Sequence, residues 1–241
     1  MFSFFKKNTG IRDVEWLGVD MHTHLLPGID DGAKNVADTV GLIKGLKELG
    51  FSQFFCTPHI FTELYPNTAE TIDAALTITT TALTKAGVQV KIDAAAEYMV
   101  DETFKPATNL LSLPGRHVLI EMSYLSEMPA IEQVIFDLQI MGHKVILAHP
   151  ERYGYYHKKP DRYLRLKDMG VLFQLNLLSL SGYYGKEIKQ VAGYLLQKKF
   201  YDFAGTDLHH HQHLDELRRM VRSGSLHQTI GNYPFKNKAL I

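Results

Sequence analysis

The sequence predicts an α/β fold, a single domain over residues 1–241 built as a closed or nearly closed barrel of seven strands. An open α/β sheet is the runner-up. Three observations carry the prediction. Short β-type runs alternate with longer segments of helical spacing, the pattern of a parallel sheet with right-handed crossovers. Residues able to bind metal or phosphate fall at the ends of those runs. In 241 residues there is no low-complexity linker and no evident repeat to mark a domain boundary.

The β-type runs, in order, are "WLGVDMH", "FSQFFCTPH", "VQVKIDAAAEY", "HVLIEMS", "KVILAHP", "VLFQLNLLS" and "FYDFAGTDLH". Helical spacing appears in "VADTVGLIKGLKELG" and "TAETIDAALTITTTALTKAG". "PAIEQVIFDLQIMGH" has proline near its first turn and glycine at its end, which are ordinary entry and exit signals. "YGKEIKQVAGYLLQKK" and "HLDELRRMVRSG" complete the set, the latter closing on arginine and glycine.

Composition narrows the function classes. Hydrophobic residues make up 45% and charged residues 22%, ordinary for a globular domain. Lys plus Arg and Asp plus Glu are 26 each, so no broad positive field attracts nucleic acid or anionic lipid. The single cysteine, Cys56, excludes an intramolecular disulfide and fits a reducing compartment. No run is long enough to span a membrane. "MFSFFKKNTG" is apolar before it is basic, the reverse of a secretory signal. It reads as a loose arm able to touch a partner or a membrane surface. The expected location is the cytoplasm.

The chemistry is concentrated at the strand ends. His22 and His24 close the first run; residues at i and i+2 on a strand share a face, so the imidazoles stand side by side. Asp31 lies in the following loop. His59 ends the second run, Glu97 the third and Glu121 the fourth. His149 and Arg152 follow the fifth, and Asp207 with His209 closes the seventh, repeating the i, i+2 spacing. In a barrel all these ends open onto one rim. A mixed His and carboxylate set without thiolate suits Mn, Fe or Zn. It has enough ligands for two or three ions, which could activate a water and clamp a phosphate. Arg152 could fork onto phosphate oxygens.

In order, "DMHTHLLPGIDDG", "CTPHI", "AAEYMV", "LIEMSY", "LAHPERY" and "GTDLHH" resemble the motifs of the polymerase and histidinol phosphatase (PHP) superfamily. The first loop and the "HPERY" segment are most similar to its bacterial protein-tyrosine phosphatases, the capsule and exopolysaccharide regulators. The resemblance runs from Gly18 to His209. It implies a distorted seven-stranded β/α barrel with a trinuclear centre, usually of manganese. It also implies a phosphotyrosine substrate on a bacterial tyrosine kinase that controls polysaccharide export, through which peripheral membrane association could arise. By position, His22, His24, Glu97 and Asp207 would hold one metal. Glu97 would bridge to a second with His149 and Glu121, and Asp31, His59, Glu121 and His209 would surround a third. Arg152 would bind phosphate, and His209 is the candidate proton donor to the leaving group. The family often carries a second arginine shortly after the last histidine. Here that place reads "HHHQHLDELRRM", and Arg218 and Arg219 come too late to be assigned.

Other polar residues receive bland readings. Asp30 shapes the turn, while His117, His143 and His157 are structural or solvated. His210, His211 and His213 belong to a loop or helix start. The tyrosines of "YGYYHKKPDRY" and "SGYYG" could wall a phosphotyrosine ring or be ordinary half-buried residues. Cys56 lacks a phosphate-binding loop with a nearby arginine and reads as packing. The expected function is a metal-dependent protein-tyrosine phosphatase acting by direct attack of metal-activated hydroxide. The rivals are a phosphoesterase for a small ester such as histidinol phosphate, and a non-catalytic docking barrel.

Overall fold

Gly18, in the left-handed region at φ 73°, turns the chain into β1 (Val19–Thr23), all five residues of which are buried. The structure, a computed structural model, describes residues 10–241. The N-terminal arm read from the sequence therefore lies, but for Gly10, outside the described residues. Among the described residues, nine strands follow one another in two all-parallel sheets. After β1 come β2 (Gln53–Cys56), β3 (His59–Ile60), β4 (Lys91–Ala94), β5 (Glu97–Met99) and β6 (His117–Glu121). β7 (Lys144–Ala148), β8 (Leu172–Asn176) and β9 (Phe203–Gly205) complete them. One sheet has the order β1-β2-β4, the other β3-β5-β6-β7-β8-β9.

The α/β class with parallel strands is thus as expected, but the strand count differs. Two of the seven predicted runs are each interrupted. "FSQFFCTPH" breaks at Thr57-Pro58, where proline has no N–H to give a ladder. "VQVKIDAAAEY" breaks alongside it at Ala95-Ala96. Backbone bonds continue through both breaks, from Ala95 to the Cys56 carbonyl at 2.8 Å and from Glu97 to the Pro58 carbonyl at 3.1 Å. β1 also meets the β9 end: Asp207 N donates to the His22 carbonyl at 2.8 Å, and His24 N to that of Leu208 at 3.1 Å.

Crossover helices are α1 (Val36–Glu48), α2 (Ala69–Lys85), α3 (Ile131–Ile140), α4 (Pro160–Asp168) and α5 (Lys186–Gln197), followed by α6 (His211–Arg222) and α7 (Ser225–Ile230). Asn35 caps α1 by accepting from the amides of Ala37 and Asp38, and Thr68 with Thr71 forms a capping box on α2. Pro129 stands two residues ahead of α3 rather than in its first turn. The helix α4, opened by Pro160, was not expected from the sequence. Its tyrosine-rich approach hid it. Tyr153, Tyr156 and Tyr163 are each at most 1% exposed and belong to the core, so that segment does not supply the wall considered above.

Candidate metal centre

The strand ends deliver the expected side chains to one place. His22 and His24 leave β1 on the same face and are fully buried. Glu97 opens β5 and His59 opens β3 rather than ending a run, because both follow the strand breaks. Glu121 ends β6. His149 and Asp207 lie just beyond β7 and β9 at φ 33° and 50°. These are left-handed conformations that non-glycine residues rarely adopt and that concentrate at functional sites. Gly205 is needed beneath them, since a Cβ there would sit 2.7 Å from the His22 Cβ.

Three overlapping groups result. His22, His24, Glu97 and Asp207 form one; His24, Asp31, His59 and His209 another; His59, Glu97 and Glu121 a third. In each group the ligand atoms lie within 4.8 Å of one another. His149 Nε2 is 3.2 Å from Glu97 Oε1 and 3.9 Å from Glu121 Oε2. All nine residues singled out as ligands therefore converge. Only the first group matches the sequence-derived division: His24 also joins Asp31, His59 and His209, while His59 rather than His149 joins Glu97 and Glu121. Glu121 lies with Glu97 on the Nδ1 side of His59, at 3.0 Å, while Asp31 is 3.4 Å from Nε2.

Hydrogen bonding makes the first group fit for a cation. His22 Nδ1 donates to Gln174 Oε1 at 3.0 Å, and His24 Nδ1 donates to Asp30 Oδ2 at 2.8 Å. Each neutral imidazole then turns a lone pair inward on Nε2, and these two nitrogens face each other at 3.3 Å. Glu97 Oε2 stands 3.2 and 3.3 Å from them, and Asp207 Oδ1 3.4 and 3.3 Å. Glu97 Oε2 is buried without a hydrogen-bond partner, as are His59 Nδ1 and His149 Nδ1. With both rings neutral, four acceptors would face one another with no proton between them, an arrangement that suits a divalent ion. Burial alone would push the carboxyls up and the imidazoles down. Their mutual attraction overrides it, holding Glu97 and Asp207 well below the usual carboxylate range and raising His22 and His24.

Several residues of the site carry no ligand atom and were not assigned from the sequence. Asp30 does shape the turn, accepting from Gly32 N at 3.0 Å, but it also orients His24. Gln174 also accepts from His149 N at 3.2 Å, and Asn176 donates to Asp207 Oδ2 at 2.8 Å. Gln174-x-Asn176 on β8 repeats the i, i+2 signature of His22-x-His24, a legible signal. Glu151 is fully buried, accepting from Ser179 Oγ, Tyr201 OH and Asn176 N, and so pins the turn that carries His149 and Arg152. His209 donates from Nδ1 to the Asp207 carbonyl at 2.9 Å, and its Nε2 is 3.4 Å from Asp31. That geometry would suit a ligand, whereas a proton donor would need N–H on the same Nε2, so one nitrogen would have to serve whichever of the two roles applies.

Above the cluster opens a pocket of about 420 Å³, lined by Arg152 and by Phe61, Leu64, Tyr65, Tyr124 and Tyr184. Tyr184, from "SGYYG", is the one of the tyrosines weighed for a wall that lines it. His210 caps α6 by accepting from His213 N, and His213 accepts from His209 N, as helix-start residues do. His117, His143 and His157 hydrogen-bond backbone carbonyls of Pro114, Ala107 and Glu151, away from the cluster. Cys56 is buried, and burial pushes its thiol up to about 12, so it is inert packing.

Comparison with known proteins places the chain. Residues 18–224 match the family model described as capsular polysaccharide synthesis, CpsB/CapC. The chain belongs to the CpsB/CapC family. Among CpsB/CapC relatives, it is 28% identical over 195 residues to the tyrosine-protein phosphatase YwqE of Bacillus subtilis, covering 79% of this chain and 77% of that one. It is 26% identical over 198 residues to the putative tyrosine-protein phosphatase CapC of Staphylococcus aureus, covering 79% and 76%. Its fold matches the crystal structures of YwqE and of CpsB from Streptococcus pneumoniae, described as unique metal-dependent tyrosine phosphatases. The TM-score is 0.76 at 25% identity, covering 89% of this chain and 92% of the other. A lactonase from Listeria monocytogenes, at 11% identity and TM-score 0.54, shares the fold alone. Among the described residues, no helix is long and apolar enough to cross a membrane.

Proposed function

We propose that this CpsB/CapC protein is a metal-dependent protein-tyrosine phosphatase, a phosphoric monoester hydrolase acting on phosphotyrosine. The observation that carries the reading is the acceptor-only face of His22, His24, Glu97 and Asp207 at the floor of an aromatic-lined pocket beside Arg152. The phosphatase names of the relatives support it. The proposed ligand set is His22, His24, Asp31, His59, Glu97, Glu121, His149, Asp207 and His209, holding two or three ions, with manganese first and iron or zinc as alternatives. The finer fold we propose is a distorted seven-stranded β/α barrel, in which the two sheets are joined through the β1–β9 contact.

Divalent ions bound there supply a water of lowered pKa and a positive seat for phosphate oxygens. The chain's own residues do the rest. Asp30, Gln174 and the Asp207 carbonyl hold three imidazoles with their Nε2 lone pairs inward. Arg152 offers in-plane N–H groups to the phosphate and balances the charge that builds on it. Cys56 forms no phosphoenzyme. The proposed substrate is a phosphotyrosine protein, with a bacterial tyrosine kinase of polysaccharide export as partner and the cytoplasm as location.

The test is hydrolysis of a phosphotyrosine peptide by purified protein, with and without chelator, alongside histidinol phosphate. Peptide turnover that a chelator abolishes and Mn²⁺ restores is expected. Turnover of the small ester alone would move the function to metabolism. No turnover of either with metals bound would leave a docking protein.

A further inference from the structure

Arg152 is the one residue proposed to bind phosphate, yet its charge is unusually constrained. The guanidinium carbon stands 4.6 Å from the ring centroid of Tyr124 and 4.3 Å from that of Tyr184. Nη1 donates in the guanidinium plane to Asp207 Oδ2 at 2.8 Å. The two rings come from different parts of the chain, the loop after β6 and the turn before α5. Each is itself anchored. Tyr184 OH accepts from Asn176 Nδ2 at 3.3 Å, the same amide that donates to Asp207. The Tyr124 ring lies 5.9 Å from that of Tyr153, stacked at 30°, and 5.8 Å from that of His149.

A guanidinium has three in-plane edges but no hydrogen-bonding capacity through its faces. Rings at this distance attract the cation through their π-faces without accepting an in-plane hydrogen bond, so the N–H groups stay available to oxygen ligands. The Asp207 bond uses one N–H and fixes rotation in the plane. What remains is directed donor capacity at the wall of the pocket that contains the metal-competent cluster. We propose that Tyr124 and Tyr184 are positioning residues that hold Arg152 ready for phosphate through ring–cation contact. The inference rests on the phosphatase reading for its substrate, but its own readout is phosphate affinity. It requires rings: leucine suffices at neither position, phenylalanine suffices at 124, and at 184 phenylalanine keeps the ring but gives up the hydroxyl anchor to Asn176.

The experiment measures binding of inorganic phosphate to the Mn²⁺-loaded protein by calorimetry, alongside KM and kcat on a phosphotyrosine peptide. Variants are Tyr124→Leu, Tyr124→Phe, Tyr184→Leu and Tyr184→Phe, the leucine changes being repeated in an Arg152→Gln background. Leucine is expected to weaken phosphate binding and raise KM by about 3- to 30-fold, the range for a partly desolvated cation–ring contact. kcat should fall less than that. Phenylalanine should restore the affinity at 124 and recover more of it than leucine at 184, and in Arg152→Gln protein the leucine changes should have no further effect. Unaltered affinity in both leucine variants would overturn the proposal. So would an equal loss when Arg152 is already replaced, which would mean direct contact between the rings and phosphate. If Tyr184→Leu does not fold, Tyr124→Leu decides, since Tyr124 is 44% exposed at the pocket mouth. A protein that binds phosphate with this pattern but leaves the peptide intact would refute the phosphatase reading and keep the positioning role.

Discussion

Arg152 donates from Nη1 to Oδ2 of Asp207 at 2.8 Å, on the carboxylate whose other oxygen faces His22 and His24. One short side chain therefore couples Arg152, proposed to bind phosphate, to the proposed ligand cluster. Asparagine at 207 keeps the shape but must place an NH₂ either where the oxygen facing His22 and His24 stood, which removes an acceptor for the ion, or against the Arg152 N–H, which sets donor against donor. Asp207→Asn should lose metal affinity by more than the roughly 10- to 100-fold typical of losing an outer hydrogen bond. kcat/KM should fall with it, while thermal unfolding stays cooperative. Metal content after dialysis is the check; full occupancy would remove Asp207 from the ligand set.

Asp30 tests whether tautomer control matters. Its Oδ2 accepts from His24 Nδ1 at 2.8 Å and from His59 N at 3.2 Å. Asp30→Ala frees His24 to place its proton on the inward nitrogen. Metal affinity should drop by about 10- to 100-fold without loss of a ligand atom. A metal titration that superimposes on that of the unmutated protein would make Asp30 a turn residue and nothing more.

The separate roles of Asp30 and Asp31 are not legible in the sequence for a physical reason. Both fit a turn, and "DDG" gives no sign of which carboxylate faces inward. Gly32 settles it only in three dimensions: a Cβ there would lie 2.1 Å from the His24 carbonyl, so the loop folds tightly back on β1. The convergence of the proposed ligands could be anticipated because strand periodicity is short-range and barrel-type topology gathers strand ends. Partners such as Gln174, Glu151 and Tyr124 depend on which strands neighbour which, a long-range fact. The strand breaks at Pro58 and Ala96 were missed for a related reason. Proline signals an interruption on its own strand, whereas the break before Glu97 is set by the neighbour it pairs with.

Cys56→Ala should leave kcat on a phosphotyrosine peptide unchanged within about twofold. Its stability cost should be about 1 kcal/mol, the centre of the range for point mutants. The native protein should resist alkylation by iodoacetamide, because a buried thiol raised to about 12 carries almost no thiolate at neutral pH. Loss of turnover on mutation would revive a cysteine mechanism.

Asp202 gives a pH signature far from the metal ligands. It accepts from Lys167 Nζ at 2.6 Å, Lys236 Nζ at 2.8 Å and Phe173 N at 3.0 Å. Burial pushes its carboxyl up, but these donors outweigh burial and hold it below its ordinary 3.8. A depressed folded value means the stabilisation is fully present above the unfolded value and is lost as pH falls through the folded one. Asp202→Asn should therefore cost about 1.5–3 kcal/mol at pH 7, the range for hydrogen bonds to a charged group. The gap should narrow as pH falls below about 4. Urea melts at pH 7 and pH 3 are the measurement, and an equal gap at both would show that the charge of Asp202 does not contribute.

Metal removal should be visible in stability as well as in rate. Without a cation, Glu97 and Asp207 lie fully or almost fully buried against imidazoles whose outer nitrogens are already committed to Gln174 and Asp30. Neutralising that cluster then requires protons on the inward nitrogens, at a desolvation cost the ion would otherwise offset. An ion that binds only the folded state adds about 2.7 kcal/mol at a hundred times its Kd. At about 2–4 °C per kcal/mol for a chain of this size, that corresponds to a rise of roughly 5–11 °C in Tm. Calorimetry with Mn²⁺ against chelator should show that shift, and Asp207→Asn should show much less of it. If the shift is as large in Asp207→Asn as in the unmutated protein, the stabilising ion sits elsewhere, and the acceptor-only face of His22, His24, Glu97 and Asp207 is not its seat.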